Sequence, residues 1–76
     1  MNIKVYPNPA NDELNITGIT ENTKYRILNV TGVNINQGTL HQGNNAVSMQ
    51  YFPPGIYILE IKGIDGQRNI IRVVKE

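Results

Sequence analysis

The residues specify an all-β protein, a small antiparallel β-sandwich of about seven strands forming a single domain over 1–76. Seventeen of the thirty apolar residues are Ile or Val and four are Leu, a bias toward side chains that suit a pleated surface. Apolar and polar positions alternate over short segments, the period of a strand, and no helical period competes with it. Gly or Pro recurs from Pro7 to Gly66 at intervals too short for a helix of three turns.

The first strand is expected at Ile3 to Tyr6, stopped by Pro7-Asn8-Pro9, whose two rings remove amide donors and confine the strand to a sheet edge. Glu13 to Thr17 follows, with Leu14 and Ile16 inward and polar neighbours outward. Lys24 to Val30 places Tyr25 and Ile27 on one face and Leu28 and Val30 on the other, the pattern of a central strand covered on both sides. Thr31-Gly32 turns the chain. Val33 and Ile35 then alternate with Asn34 and Asn36 to form a hairpin, and Gly38 precedes an expected polar loop, His41 to Asn45.

Val47 and Met49 flank Ser48 in a short strand. Next comes Phe52-Pro53-Pro54-Gly55-Ile56-Tyr57, a Pro-Gly turn with a tyrosine two residues after the glycine. This is the tyrosine corner of an immunoglobulin-like sandwich, in which the Tyr57 hydroxyl bonds back to upstream backbone. Ile56 to Ile61 is apolar on both faces, Gly63-Ile64-Asp65-Gly66 reads as a hairpin turn, and Asn69 to Val74 closes the sheet.

Seven Lys/Arg against six Asp/Glu give a net charge of +1, far from the basic stripe that nucleic acid binding requires. The longest apolar run is four residues, Ile56 to Leu59, so no transmembrane helix is expected, and Met1-Asn2-Ile3-Lys4 is not a signal peptide. Without cysteine there are no disulfides and no thiolate zinc site, and the compartment stays open on that ground.

Catalysis needs a nucleophile with a base, paired carboxylates or a metal cluster. The lone His41 lies in a Gly/Asn/Gln loop, and Asp12 and Glu13 are adjacent, so on a strand they point to opposite faces. Asn11 and Asp12 are expected to bond local amides after Pro9. A calcium site of Asn8, Asn11 and Asp12 has oxygen donors but one carboxylate, where two or more usually converge. Gly63 to Gly66 lacks the helix and the Lys-Ser/Thr of a phosphate loop. Tyr6 and Tyr51 are the aromatics left for a sugar platform, since Tyr25 and Tyr57 fall on core positions. Neither an enzyme nor a bound cofactor, metal or small-molecule substrate is expected, and the chain reads as a β-sandwich that binds or is bound.

Three stretches carry a family resemblance: Val5-Tyr6-Pro7-Asn8-Pro9-Ala10, Phe52 to Leu59 through Pro54, Gly55 and Tyr57, and Ile70-Ile71-Arg72-Val73-Val74-Lys75. With Tyr25 to Gly32 between them, the whole chain resembles the C-terminal sorting domain of the type IX secretion system. It departs from the family pattern at Phe52, where leucine is common, and at Asn29, where aspartate is common. Its terminal basic cluster is reduced to Arg68, Arg72 and Lys75.

The resemblance implies a non-catalytic secretion signal at the C-terminal end of a larger secreted precursor. The signal folds in the periplasm, is recognised by the outer-membrane translocon, and in many members is removed by a sortase-like peptidase as the passenger is attached to the cell surface. Ile70 to Lys75 are the expected recognition residues, with Arg72 and Lys75 as charged elements on an unpaired edge open to strand addition. An immunoglobulin-like accessory module binding glycan or protein on a surface enzyme is the alternative.

Overall fold

A computed structural model describes residues 2–63 and 66–76. Seven strands form two sheets: β1 (Lys4–Tyr6), β2 (Glu13–Ile19), β3 (Thr23–Asn29), β4 (Asn34–Leu40), β5 (Gly43–Ser48), β6 (Gly55–Lys62) and β7 (Arg68–Lys75). The orders are β1-β2-β5 and β4-β3-β6-β7, with every ladder antiparallel. No helix occurs among the described residues. Strands one, two and five face three, six and seven as in an immunoglobulin-like sandwich, while β4 pairs with β3 instead of joining the sheet of strands one, two and five, as it does in the seven-strand constant-type domain.

Alternation decides which side chains meet between the sheets. Leu14, Ile16 and Ile19 of β2 and Val47 of β5 face Ile27 of β3, Leu40 of β4, Tyr57, Leu59 and Ile61 of β6, and Val73 of β7. Met49 and Ala10, both outside the strands, complete the core and are fully buried. The outer face of β3 is uncovered: Leu28 is half-buried, and Val30, expected to end the strand but lying just past it, is 71% exposed, so this central strand is covered on one side, not two. Its neighbours β4 and β6 satisfy its backbone, while the three-stranded sheet reaches only its inner face.

β4 runs on through Gly38, Thr39 and Leu40, and β5 starts at Gly43, so the connection is tighter than the expected His41 to Asn45 loop. Asn45 closes it: its Oδ1 accepts from His41 N–H at 2.9 Å and its Nδ2 donates to the His41 carbonyl at 2.8 Å. Gly38 fits beneath the Tyr25 ring, where a Cβ would come within 2.9 Å of Cε1.

The β3–β4 turn rests on Asn29, whose Oδ1 accepts from Thr31 N–H, Thr31 Oγ1 and Val33 N–H at 3.0, 2.7 and 2.9 Å. Gly32 there has φ +87, which a side chain resists. Residues 64 and 65 of the expected Gly63 to Gly66 turn lie outside the described residues. Gly63 N–H bonds the Gln67 carbonyl at 2.9 Å, and Gly66 N–H bonds the Gly63 carbonyl at 3.0 Å.

Candidate functional site

β7 is the edge strand of the four-stranded sheet and pairs with β6 from Lys62↔Arg68 to Gly55↔Lys75. In an antiparallel ladder, alternate residues turn both backbone groups toward the partner and the others turn both away. The outward set here includes Val74, whose N–H and C=O bond elsewhere: Asn8 Oδ1 accepts from the N–H at 3.0 Å, and the carbonyl accepts from Ala10 N–H at 2.7 Å.

Two further bonds extend this clasp. Asn8 Nδ2 donates to the Arg72 carbonyl at 2.8 Å, and Glu76 N–H donates to the Ala10 carbonyl at 2.9 Å, forming a parallel bridge between Ala10 and Lys75. Both ends of the Asn8 amide are therefore engaged on β7. The peptide bonds preceding Pro7 and Pro9 are cis.

The same alternation directs the N–H and C=O of Ile70 and the N–H of Arg72 outward, and no bond from outside the sheet reaches them among the described residues. Half of the edge is open and half is held. Side chains divide differently. Ile70 is 64% exposed and Arg72 is exposed, Val74 is half-buried, and Ile71 packs against the core. Val73 and Lys75 are buried, and Lys75 Nζ donates to the Glu76 carbonyl at 3.2 Å.

Lys75 thus does not present a free charge at the edge, contrary to expectation. Its inward register, two residues from Val73, puts its stem beside the core. Burial of Lys75 and the reach of Asn8 across 64 residues of sequence carry no local signal that a strand pattern reveals.

The corner forms as expected. Tyr57 is buried, its hydroxyl donates to the Pro53 carbonyl at 2.5 Å, and its ring packs on Phe52 at a centroid distance of 5.3 Å. Pro54 and Gly55 carry the chain into β6, and exposed Tyr6 ends β1 before Pro7 and Pro9.

The other candidates do not assemble. His41 is exposed, and no group of three His, Cys, Asp or Glu side chains suits a metal ion among the described residues. Asn11 and Asp12 make no side-chain bond to local amides there; instead, the Asp12 carbonyl accepts from Met49 N–H at 2.8 Å. Tyr51 is 88% exposed and Tyr6 51%.

On the outer face Arg26 binds Glu60 through Nε–Oε1 at 2.9 Å and Nη2–Oε2 at 3.3 Å. The Arg26 hydrogen bonds hold the Glu60 carboxyl below its ordinary range against a desolvation cost, and the charges of Arg26, Arg68 and Lys62 lower it further. Burial raises the Tyr25 phenol.

The family model for the secretion system C-terminal sorting domain matches residues 4–76. Among solved structures, the chain is similar to one described in a structural and functional probing of PorZ, an essential bacterial surface component of the type IX secretion system of Porphyromonas gingivalis. The TM-score is 0.75 at 20% identity, over 97% of this chain and 11% of that one. At that identity the likeness is one of fold, and the chain spans about a tenth of that protein's length. No curated protein matched. With the Pro-Asn-Pro clasp, the tyrosine corner and the closing strand all inside the matched span, the chain belongs to the C-terminal sorting domains of type IX secretion.

Proposed function

We propose that this domain is the non-catalytic address of a secreted precursor, read by the outer-membrane translocon at the open half of the β7 edge. The family match over residues 4–76 carries the reading. The edge adds a means: the Ile70 N–H and C=O and the Arg72 N–H are free for an added strand, with exposed Ile70 and Arg72 side chains beside them. Val73, Ile71 and buried Lys75 act by holding that edge in register, and Val74 by anchoring the clasp.

On this reading the domain folds in the periplasm and its passenger reaches the cell surface. A sortase-like peptidase then cuts before β1 and attaches the passenger there. The domain takes part as substrate, with no chemistry of its own.

The test appends residues 1–76 to a reporter bearing a signal peptide in a type IX-competent host. The expected result is reporter at the cell surface, and none in a host lacking the translocon. Reporter retained in the periplasm of the competent host contradicts the proposal. The exposure of Tyr51 motivates the alternative, an accessory glycan-binding module. A glycan array that yields a ligand lost in Tyr51→Ala favours it.

A further inference from the structure

Charge is distributed unevenly over this nearly neutral chain. The four strands β3, β4, β6 and β7 hold Lys24, Arg26, Lys62, Arg68, Arg72 and Lys75, but a single acidic residue, Glu60. Of the basic residues, all but the buried Lys75 alternate onto the outer face.

The register aligns three of them. Lys24 is the partner of Lys62, and Lys62 the partner of Arg68, so three cations stand in one row across β3, β6 and β7, with Thr39 of β4 continuing it. Neighbouring strands lie about 4.8 Å apart, so the row is about 10 Å long. All three side chains are exposed and none forms an ion pair among the described residues. Glu60 in the adjacent row is taken by Arg26.

Like charges directly opposite on a sheet destabilise it, and folding alone gives no reason for three in succession. Shallow hollows flank the row and share Lys24, Thr39 and Lys62 between them. Farther along the same face, past the Arg26–Glu60 row, Leu28 lies beside Ile58, with Arg72 ending that row, then Ile56 lies beside Val74, and exposed Ile70 stands between Arg68 and Arg72.

We propose that this face docks reversibly on an anionic phospholipid surface, with the Lys24–Lys62–Arg68 row meeting headgroup phosphates. Charge complementarity requires an anion. A row spread over three strands, with each cation in water, fits an array of phosphates better than one free phosphate, which favours convergent, partly buried donors. The apolar side chains beyond the Arg26–Glu60 row fit the boundary beneath the headgroups. This inference does not depend on the translocon reading, since it concerns the isolated domain and the cationic side-chain row, whereas that reading rests on the backbone edge of β7, which borders the same face at Ile70 and Arg72.

The test is co-sedimentation of the 76-residue chain with phosphatidylcholine vesicles, with and without phosphatidylglycerol. Expected is partitioning that rises with phosphatidylglycerol and falls when salt shortens the screening length from about 10 Å toward 3 Å. Lys62→Gln should weaken it about fivefold, with an unchanged or higher melting temperature. Lys4→Gln, the same charge change on β1 of the other sheet, should leave it unaltered. Equal loss in both variants, or no binding to phosphatidylglycerol vesicles at low salt, overturns the proposal. So does displacement by equal charge concentrations of pyrophosphate or of polyglutamate, which would assign the row to a soluble phosphate or an acidic polypeptide.

Discussion

From Arg68 to the Arg72 N–H, the outer edge of β7 meets no strand among the described residues. From the Arg72 carbonyl to Glu76 it is held by Asn8 and Ala10. Composition does not separate the halves, since Ile70-Ile71-Arg72 and Val73-Val74-Lys75 are alike in pattern. A segment more than sixty residues away in sequence separates them, by supplying one side-chain amide and one parallel bridge. Residues 73–76 are therefore part of the closure, and a partner that adds a strand at β7 without opening the fold must use the half that precedes them.

The contrast can be broken most severely at the core. Val73→Ala, at a fully packed position opposite Tyr57, should cost about 2 kcal/mol in urea denaturation. Ile70→Ala three residues earlier should stay within about 0.5 kcal/mol. Next in size, Asn8→Ala removes both side-chain bonds to β7 and should cost about 1 to 2 kcal/mol. Hydrogen exchange at the Val74 amide should accelerate toward the rate at Ile70, and an unchanged Val74 amide would mean that the clasp is not what protects this half.

Tyr57→Phe tests the corner that feeds β6, the strand to which both halves are laddered. Loss of the bond to Pro53 should lower stability by about 1 kcal/mol, with the difference between the Ile70 and Val74 amides preserved. The smallest effect is on the outer face. Arg26 lowers the Glu60 carboxyl in the folded state, so the pair's contribution is fully present above the ordinary value of 4.5 and is lost as pH falls through the lower folded value. Glu60→Gln should thus be less stable than wild type by up to about 1 kcal/mol near neutrality. The gap should close in acid, and a gap independent of pH would exclude the ion pair as its source.

The strands and the inward residues could be read directly, because alternation at Leu14 and Ile16, or at Tyr57, Leu59 and Ile61, is a local property of the chain. The tyrosine corner was equally visible, as it needs only Pro, Gly and Tyr at fixed offsets. Non-local consequences were hidden. Nothing in Val30 shows that β3 lacks cover on its outer side, and nothing in Lys75 shows that its stem lies inward once Ala10 closes over the strand. The cationic row has no local signal for the same reason: Lys24, Lys62 and Arg68 become neighbours only through two strand registers. That the short, β-branched closing strand sits at a sheet edge is legible in the sequence, but which half of that edge is open depends on Asn8.

The most direct test replaces Ile70 with proline in the reporter fusion. The outward Ile70 amide bonds no other strand among the described residues, so proline there removes a donor that their fold does not use, and an edge position tolerates the ring. We expect Ile70→Pro to fold, with a cooperative melt and a protected Val74 amide, and to leave the reporter in the periplasm. A folded Ile70→Pro domain that delivers its passenger to the surface as efficiently as wild type would contradict recognition by strand addition at the open half of β7.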